Sequence, residues 1–307
     1  MLSFIVKRVL KGLLCVWFVW TVIFFLVRMT GDPTDWMLQD GATEQERMEL
    51  RADMHLDDPV ITQYVQSLSD FIHGNPGKSY FYHRDVSELY AERLNTTLKL
   101  ALPSLLLSTF LGILIGTIAA LKHDTLGDRT AMVLAVILHT MPVFCLGLIL
   151  IFIFSLQLRV LPSAGSKTLK HLIMPMITMA AGPTSSTARL TRSSLLDVLP
   201  KEYMDGARMK GLPERVVIIK HALRNSLIPV VTSIGMQLGT VIGGAVVIEN
   251  VFSWPGLGML IVTAANNRDF PTVQYGVLLV AICVTIANIL IDISYGFINP
   301  RIRESFK

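Results

Sequence analysis

The feature that most constrains this chain is a set of charge-free apolar stretches, each 16 to 29 consecutive residues long. A bilayer's hydrocarbon core is about 30 Å thick, and a helix needs about 20 apolar residues to cross it. Charged residues make up only 16% of the 307, against about 25% in soluble domains, and they crowd between the stretches. A mean hydropathy of +0.54 agrees. These blocks exclude a soluble enzyme, a disordered chain and a disulfide scaffold. They predict an all-α integral membrane protein.

Six stretches are long enough to be spans: 12–27, 100–121, 130–158, 172–188, 225–248 and 270–291. Lys11 and Arg28 flank the first and can snorkel. The third is long enough to tilt, and Pro175, Gly182 and Pro183 interrupt the fourth. With a cytoplasmic N-terminus, the inner segments hold 16 Lys and Arg in 68 positions and the outer ones 11 in 110. The positive-inside rule therefore predicts both termini in the cytoplasm. The first stretch lacks a small-residue cleavage site and reads as a retained span rather than a signal peptide.

This reading divides the chain into a tail and first span (1–30), an extracytoplasmic loop (31–97), a five-helix core (98–300) and a cytoplasmic tail (301–307). The outer loop reads as short helices. Thr43-Glu-Gln-Glu46 forms a capping box, and 59–73 begins with proline and is stopped by Gly74. The large inner segment, 189–225, is rich in Arg and Lys and shows no hydrophobic face of its own.

Several motifs resolve to bland readings. Gly74-Asn-Pro-Gly77-Lys78-Ser79 resembles a P-loop, but Ile72 stands where its first glycine belongs. The chain therefore carries no ATPase, and no enzymatic site is expected. Small residues recur at Ser104, Ser108, Gly112, Gly116 and Ala120, and at Gly235, Gly239 and Gly243. Such stripes let helices approach closely, within one subunit by default or along a moving seam. His139 and Asp292 are thin material for an ion-coupled carrier. Cys15, Cys145 and Cys283 read as small buried hydrophobes rather than a metal site.

The strongest signal lies between Lys201 and Pro229. Glu202 to Lys210 is a short polar helix stopped by Gly211, Pro213 restarts the chain, and 216–223 runs amphipathically into the fifth stretch. A basic loop on anionic headgroups explains the charge but not the helix–glycine–helix punctuation. A rigid lever explains both.

The pattern Glu202-Tyr203, Ala207-Arg208, Gly211, His221-Ala-Leu-Arg-Asn225 and Ile228-Pro229 resembles the EAA loop of ABC-importer permeases. It is most similar to the first permease of the dipeptide/oligopeptide/nickel subfamily. Lys7-Arg8, Gly31-Asp32-Pro33, Leu56-Asp-Asp-Pro59, Arg93-Leu-Asn-Thr-Thr97 and Leu161-Pro-Ser-Ala-Gly165 share the likeness. So do Glu249 to Gly258, with its Trp254-Pro-Gly-Leu-Gly turn, Arg268-Asp-Phe-Pro271 and Asn299-Pro-Arg-Ile-Arg303. Gly206, where the family more often has a larger residue, and Asn75-Pro76 depart from the pattern.

The resemblance implies a type I importer permease of the MetI-like fold in the bacterial inner membrane. Its partners would be a second homologous permease, two cytoplasmic ATPase subunits and an extracytoplasmic substrate-binding protein, with membrane lipid around it and no nucleic acid. ATP and magnesium would reside on the ATPases, and the chain itself would hold no cofactor or metal. Glu202, Tyr203, Ala207, Arg208 and Gly211 would contact an ATPase. Asp57, Asp58, Trp254, Pro255 and Gly256 would face the binding protein. The cargo implied is small peptides, with nickel or a metal–metallophore complex, or glutathione, as the alternative. A homo-oligomeric channel or an ion-coupled carrier is the rival class.

Overall fold

The structure, a computed structural model, describes residues 2–29, 31, 34, 43–53 and 56–298. Asp32-Pro33, Asn299-Pro-Arg-Ile-Arg303, the 301–307 tail and the Asp292 side chain lie outside the described residues. Among those described, every extended element is helical, and β-pairing is confined to one isolated bridge between Lys78 and Asp85. The chain forms two compact units: residues 2–97 with 255–286, and 98–254 with the segment from 287 onward.

The first unit contains α1 (Leu2–Met29), α2 (Glu44–Asp53), α3 (Val60–Ile72), the start of α4 (Val86–Leu121), α10 (Leu257–Asn266) and the start of α11 (Phe270–Ile298). The α2 cap is the expected box: Glu46 N–H donates to Thr43 Oγ1 at 3.3 Å, and Thr43 N–H donates to Glu46 Oε2 at 2.8 Å. Helix α3 packs on α1 through Phe24–Tyr64 and Trp20–Phe71, with ring centroids 5.1 and 5.3 Å apart. Val86, Leu89, Tyr90, Leu257 and Leu260 form the unit's core. Gly276 belongs there because a Cβ would collide with Tyr90 and Ile261. Fully buried Asp269 accepts from Ser79 Oγ, from Tyr80 N–H at 3.1 Å and from Thr272 Oγ1 at 2.7 Å. That satisfies a carboxylate whose unpaired burial would be costly.

The second unit contains the rest of α4, then α5 (Leu126–Thr140), α6 (Val143–Leu150, prolonged by a π-helical stretch Ile151–Gln157), α7 (Leu169–Val198), α8 (Glu202–Met209) and α9 (Arg224–Val251). Helix α7 is central, packing against α5, α6 and α9. It also receives the α4 small-residue stripe. A Cβ on Gly112 would stand 2.5 Å from Thr187 Cβ, and one on Gly116 would strike the Ala188 carbonyl. Ser104, Ser108 and Ala120 are buried on the same line. The stripe is therefore a packing seam within one subunit. The α9 stripe differs: nothing lies within 4 Å of a Cβ built on Gly243. At the start of α5, Asp128 takes a two-point contact from Arg192 of α7, both bonds 2.6 Å.

Two expectations are corrected. The 130–158 stretch is not one straight helix: α5 and α6 meet at a 105° bend. Pro142 sits at the break, where it cannot donate a backbone bond and disfavours helix at Met141. The count of six is also not met on length and composition. Ile5–Met29, Val86–Leu121 and Phe270–Ile291 qualify as spans, and the bent pair makes four if taken as one. Helix α7 departs from a plain apolar span for a physical reason. It is the bundle's centre, and it buries Thr178, Ser185, Thr187, Thr191 and Ser194 instead of presenting leucines to lipid. Helix α4 starts at Val86, so the last residues of the 31–97 segment already belong to it.

Candidate functional site: the helix–glycine–helix segment

Helix α8 stands on a small hydrophobic foot. Met204 and Ala207, three residues apart and hence on one face, are 0% and 6% exposed. They pack against Leu195 at the end of α7, Ala120 of α4, and Val217 and Ala222 beyond the turn. The segment therefore has an apolar face after all. It was not read from sequence because one methionine and one alanine are too few to register as periodicity. The opposite face carries Glu202 and Met209, with Tyr203 on its flank, all exposed, the methionine at 83%.

The turn after α8 is set by Gly211, whose φ of +73° L-residues with side chains rarely adopt. Its N–H donates to the Arg208 carbonyl at 2.9 Å. Pro213 then caps Glu214–Val216, and the helix continues through a π-helical stretch, Val217–Leu223, into α9 without a break. Arg208 ties the two arms together, donating to Asp205 Oδ1 at 2.9 Å and Glu214 Oε1 at 3.2 Å. Those carboxylates hold its guanidinium above its ordinary pKa. Gly206 does not interrupt α8, and nothing lies within 4 Å of a Cβ built on it. The result is a two-armed lever with a fixed elbow, rooted on α7 and exposing Tyr203, Glu202 and Met209.

Of the coupling residues named from sequence, the structure places Glu202, Tyr203, Arg208 and Gly211 at or near the surface, while Ala207 faces inward as part of the foot. The outer docking set is exposed only in part. Trp254 is 4% exposed in a cluster with Met174, Ile248 and Phe252, and Gly256 is buried as well. Pro255 is half-buried, its carbonyl accepting from Arg93 Nη1 at 3.3 Å. A tight apolar turn of this kind closes inward on its own chain, so Trp254 and Gly256 offer little accessible surface. Asp57 is exposed and paired with Arg51 at 2.8 Å, and Asp58 is half-buried.

Four buried polar residues escaped the sequence reading: Asp128, Arg192's partner; Glu249, fully buried; Asp269; and Ser79, which binds it. Arg192 lies 64 residues from Asp128, and Ser79 190 from Asp269, so no local spacing could flag these two pairs. His139 does line a space of about 500 Å3 with Thr178, Ser186, Ser233 and Gln237, and its Nδ1 lies 3.3 Å from Ser186 Oγ.

Residues 112–304 match the family "Binding-protein-dependent transport system inner membrane component", and residues 1–101 match that family's N-terminal region. The chain is 39% identical over 304 residues to the glutathione transport system permease protein GsiC of Salmonella choleraesuis, covering 99% of each. It is 38% identical over 305 residues to GsiC of Escherichia coli K12, again covering 99% of each. An inward-facing structure of the MetNI methionine ABC transporter superposes with a TM-score of 0.52 at 18% identity, covering 66% of this chain and 94% of that one.

The chain therefore belongs to the ABC-importer permeases of the peptide, opine and nickel uptake family. It is an all-α, multi-span permease of the MetI-like fold in the bacterial inner membrane. In this family ATP is hydrolysed on separate ABC subunits, and the permease is not an enzyme. The family typically pairs such a chain with a second permease, ATPases and a substrate-binding protein.

Proposed function

We propose that this chain forms one half of the translocation pathway for glutathione-type small peptides. In this reading a second, homologous permease completes the pathway. A binding protein delivers the cargo to the 31–97 side, and two ATPases act on the α8 lever. The observation that carries the coupling role is the lever itself: a short helix anchored by Met204 and Ala207, with Tyr203 and Met209 left uncovered. Closure of the ATPase dimer would draw the two levers together and rock the helical core between inward- and outward-facing states. The rigid connection from Pro213 into α9 supports transmission, since no flexible joint intervenes. End-to-end likeness to permeases named for glutathione supports that cargo over peptides in general.

In the same reading α7 and α9 also cross the bilayer, giving six spans with both termini inside. Their 30 and 28 residues correspond to about 45 and 42 Å of helix, ample for the core. Deleting the gene should abolish uptake of labelled glutathione by whole cells, with restoration by a plasmid copy. Unchanged glutathione uptake with loss of dipeptide or nickel uptake would move the cargo to the other branch of the subfamily.

A further inference from the structure

Within the unit of residues 98–254, the bend between α5 and α6 and the facing sides of α7 and α9 border the space of about 500 Å3 that His139 lines. Small-molecule sites run from about 300 to 1,000 Å3. Irregular backbone at membrane depth is tolerated where it is buried in protein or lines a cavity, and broken helices recur at transporter substrate sites. Here Met141 and Val143, on either side of the Pro142 break, both line the space.

The lining polar groups differ in what they can offer a ligand. Thr178 Oγ1 is spent on the Met174 carbonyl at 2.8 Å, and Gln237 donates its amide to Thr187 Oγ1 at 3.2 Å. His139, by contrast, is exposed; with Ser186 Oγ on its Nδ1, Nε2 is the ring nitrogen left over. Ser186 and Ser233 are half-buried on the facing helices. An imidazole and two hydroxyls can all donate. Among the described lining residues none is Asp, Glu, Lys or Arg, so an anionic group meets donors there, while an ammonium meets no counter-charge.

The space is also kept open by its backbone. Gly182 of α7 and Gly244 of α9 line it, and nothing lies within 4 Å of a Cβ built on either. These glycines face a void, unlike Gly112 and Gly116, which are needed for a packed seam. Met141 and Met236 add flexible thioethers, which adapt to varied apolar groups.

We propose that this space is a resting site for cargo, in which His139, Ser186 and Ser233 hold a carboxylate of the peptide. The inference rests on the pathway reading above and adds to it a specificity-determining contact on the permease itself.

The test uses the assembled transporter in proteoliposomes, with Met236→Cys in a chain whose Cys15, Cys145 and Cys283 are replaced by serine. Labelling of this chain by a sulfonated maleimide is timed alone, with S-methylglutathione, and with its diethyl ester. S-methylglutathione bears both carboxylates and no free thiol; the ester lacks the carboxylates. Labelling is expected to proceed, to be slowed by the acid, and to be unaffected by the ester. His139→Leu should raise the concentration for half-protection about tenfold, the loss of one hydrogen bond to a charged group, and His139→Gln should raise it less. Gly244→Leu, which fills the space without removing a donor, should abolish protection in assemblies that still contain the ATPases. Absence of labelling would mean that the second permease or lipid fills the space, and would overturn the proposal. So would equal protection by acid and ester, or protection unchanged in both His139→Leu and Gly244→Leu. Uptake of labelled glutathione by the unsubstituted transporter, supplied with its binding protein, reads the pathway assignment separately. No uptake overturns that assignment and this site with it; uptake without protection overturns the site alone.

Discussion

At the scale of single residues, Gly211 and Asp128 carry distinct burdens. The elbow at Gly211 has open space around it, so a side chain there meets a backbone penalty and no steric one. Holding an L-residue in the left-handed region costs about 1–2 kcal/mol, more for β-branched residues and less for Asn. Gly211→Val should insert and accumulate normally yet lose at least tenfold in uptake, while Gly211→Asn retains most of it. Equal uptake by both variants would show that the elbow's conformation is irrelevant to coupling.

Asp128 is buried beneath Arg192, and removing one partner leaves the other unsatisfied. Asp128→Asn should cost about 1.5–3 kcal/mol, read as a lower melting temperature of the detergent-solubilised chain. Arg192→Lys should not preserve stability, because an ammonium cannot reproduce the fork. The double variant Asp128→Asn/Arg192→Gln should lose less than the sum of the singles.

At the scale of elements, α8 is a helix of eight residues held more by its foot than by its own propensity. Gly206→Ala adds a methyl group into open space and removes a mid-helix glycine. It should stabilise α8 by about 0.5–1 kcal/mol and leave uptake equal or higher. Met204→Ala acts oppositely, emptying a fully buried site. Its local cost of about 2–5 kcal/mol should appear as faster proteolytic nicking between Pro200 and Pro213, with the remainder of the chain as resistant as before. Unchanged nicking would mean that α8 is held by something other than its foot.

Helix punctuation explains why this element was legible in sequence. The Thr43–Glu46 cap, the Gly211 stop and the Pro213 restart are local signals that no tertiary contact overrides. Where tertiary packing sets the outcome, the sequence reading stopped short. The bend at Pro142 hides inside one uninterrupted apolar stretch, and the inward turn of Trp254 depends on partners as distant as Met174. The Asp269–Ser79 bond joins residues 190 apart, beyond the reach of any periodicity.

At the scale of the whole molecule, the charge-free stretches sufficed for the membrane class, and the EAA pattern sufficed for the importer family. The span count did not follow as directly, because a helix at the centre of a bundle buries threonine and serine where a lipid-facing one presents leucine. Function at this scale is a division of labour. In the proposed function this chain supplies a pathway and a lever, and the energy arrives from subunits that bind ATP.

That division is tested most directly at the lever's exposed face. Cysteine is introduced at Tyr203 in a chain whose Cys15, Cys145 and Cys283 are replaced by serine, then labelled with benzophenone-maleimide and irradiated in native membranes. The expected result is a crosslink to an ABC ATPase subunit, purified in mild detergent as an assembly with vanadate-sensitive ATP hydrolysis. A chain that crosslinks only to itself, and purifies as a homo-oligomer without ATPase subunits or activity, would contradict the coupling role assigned to residues 202–211.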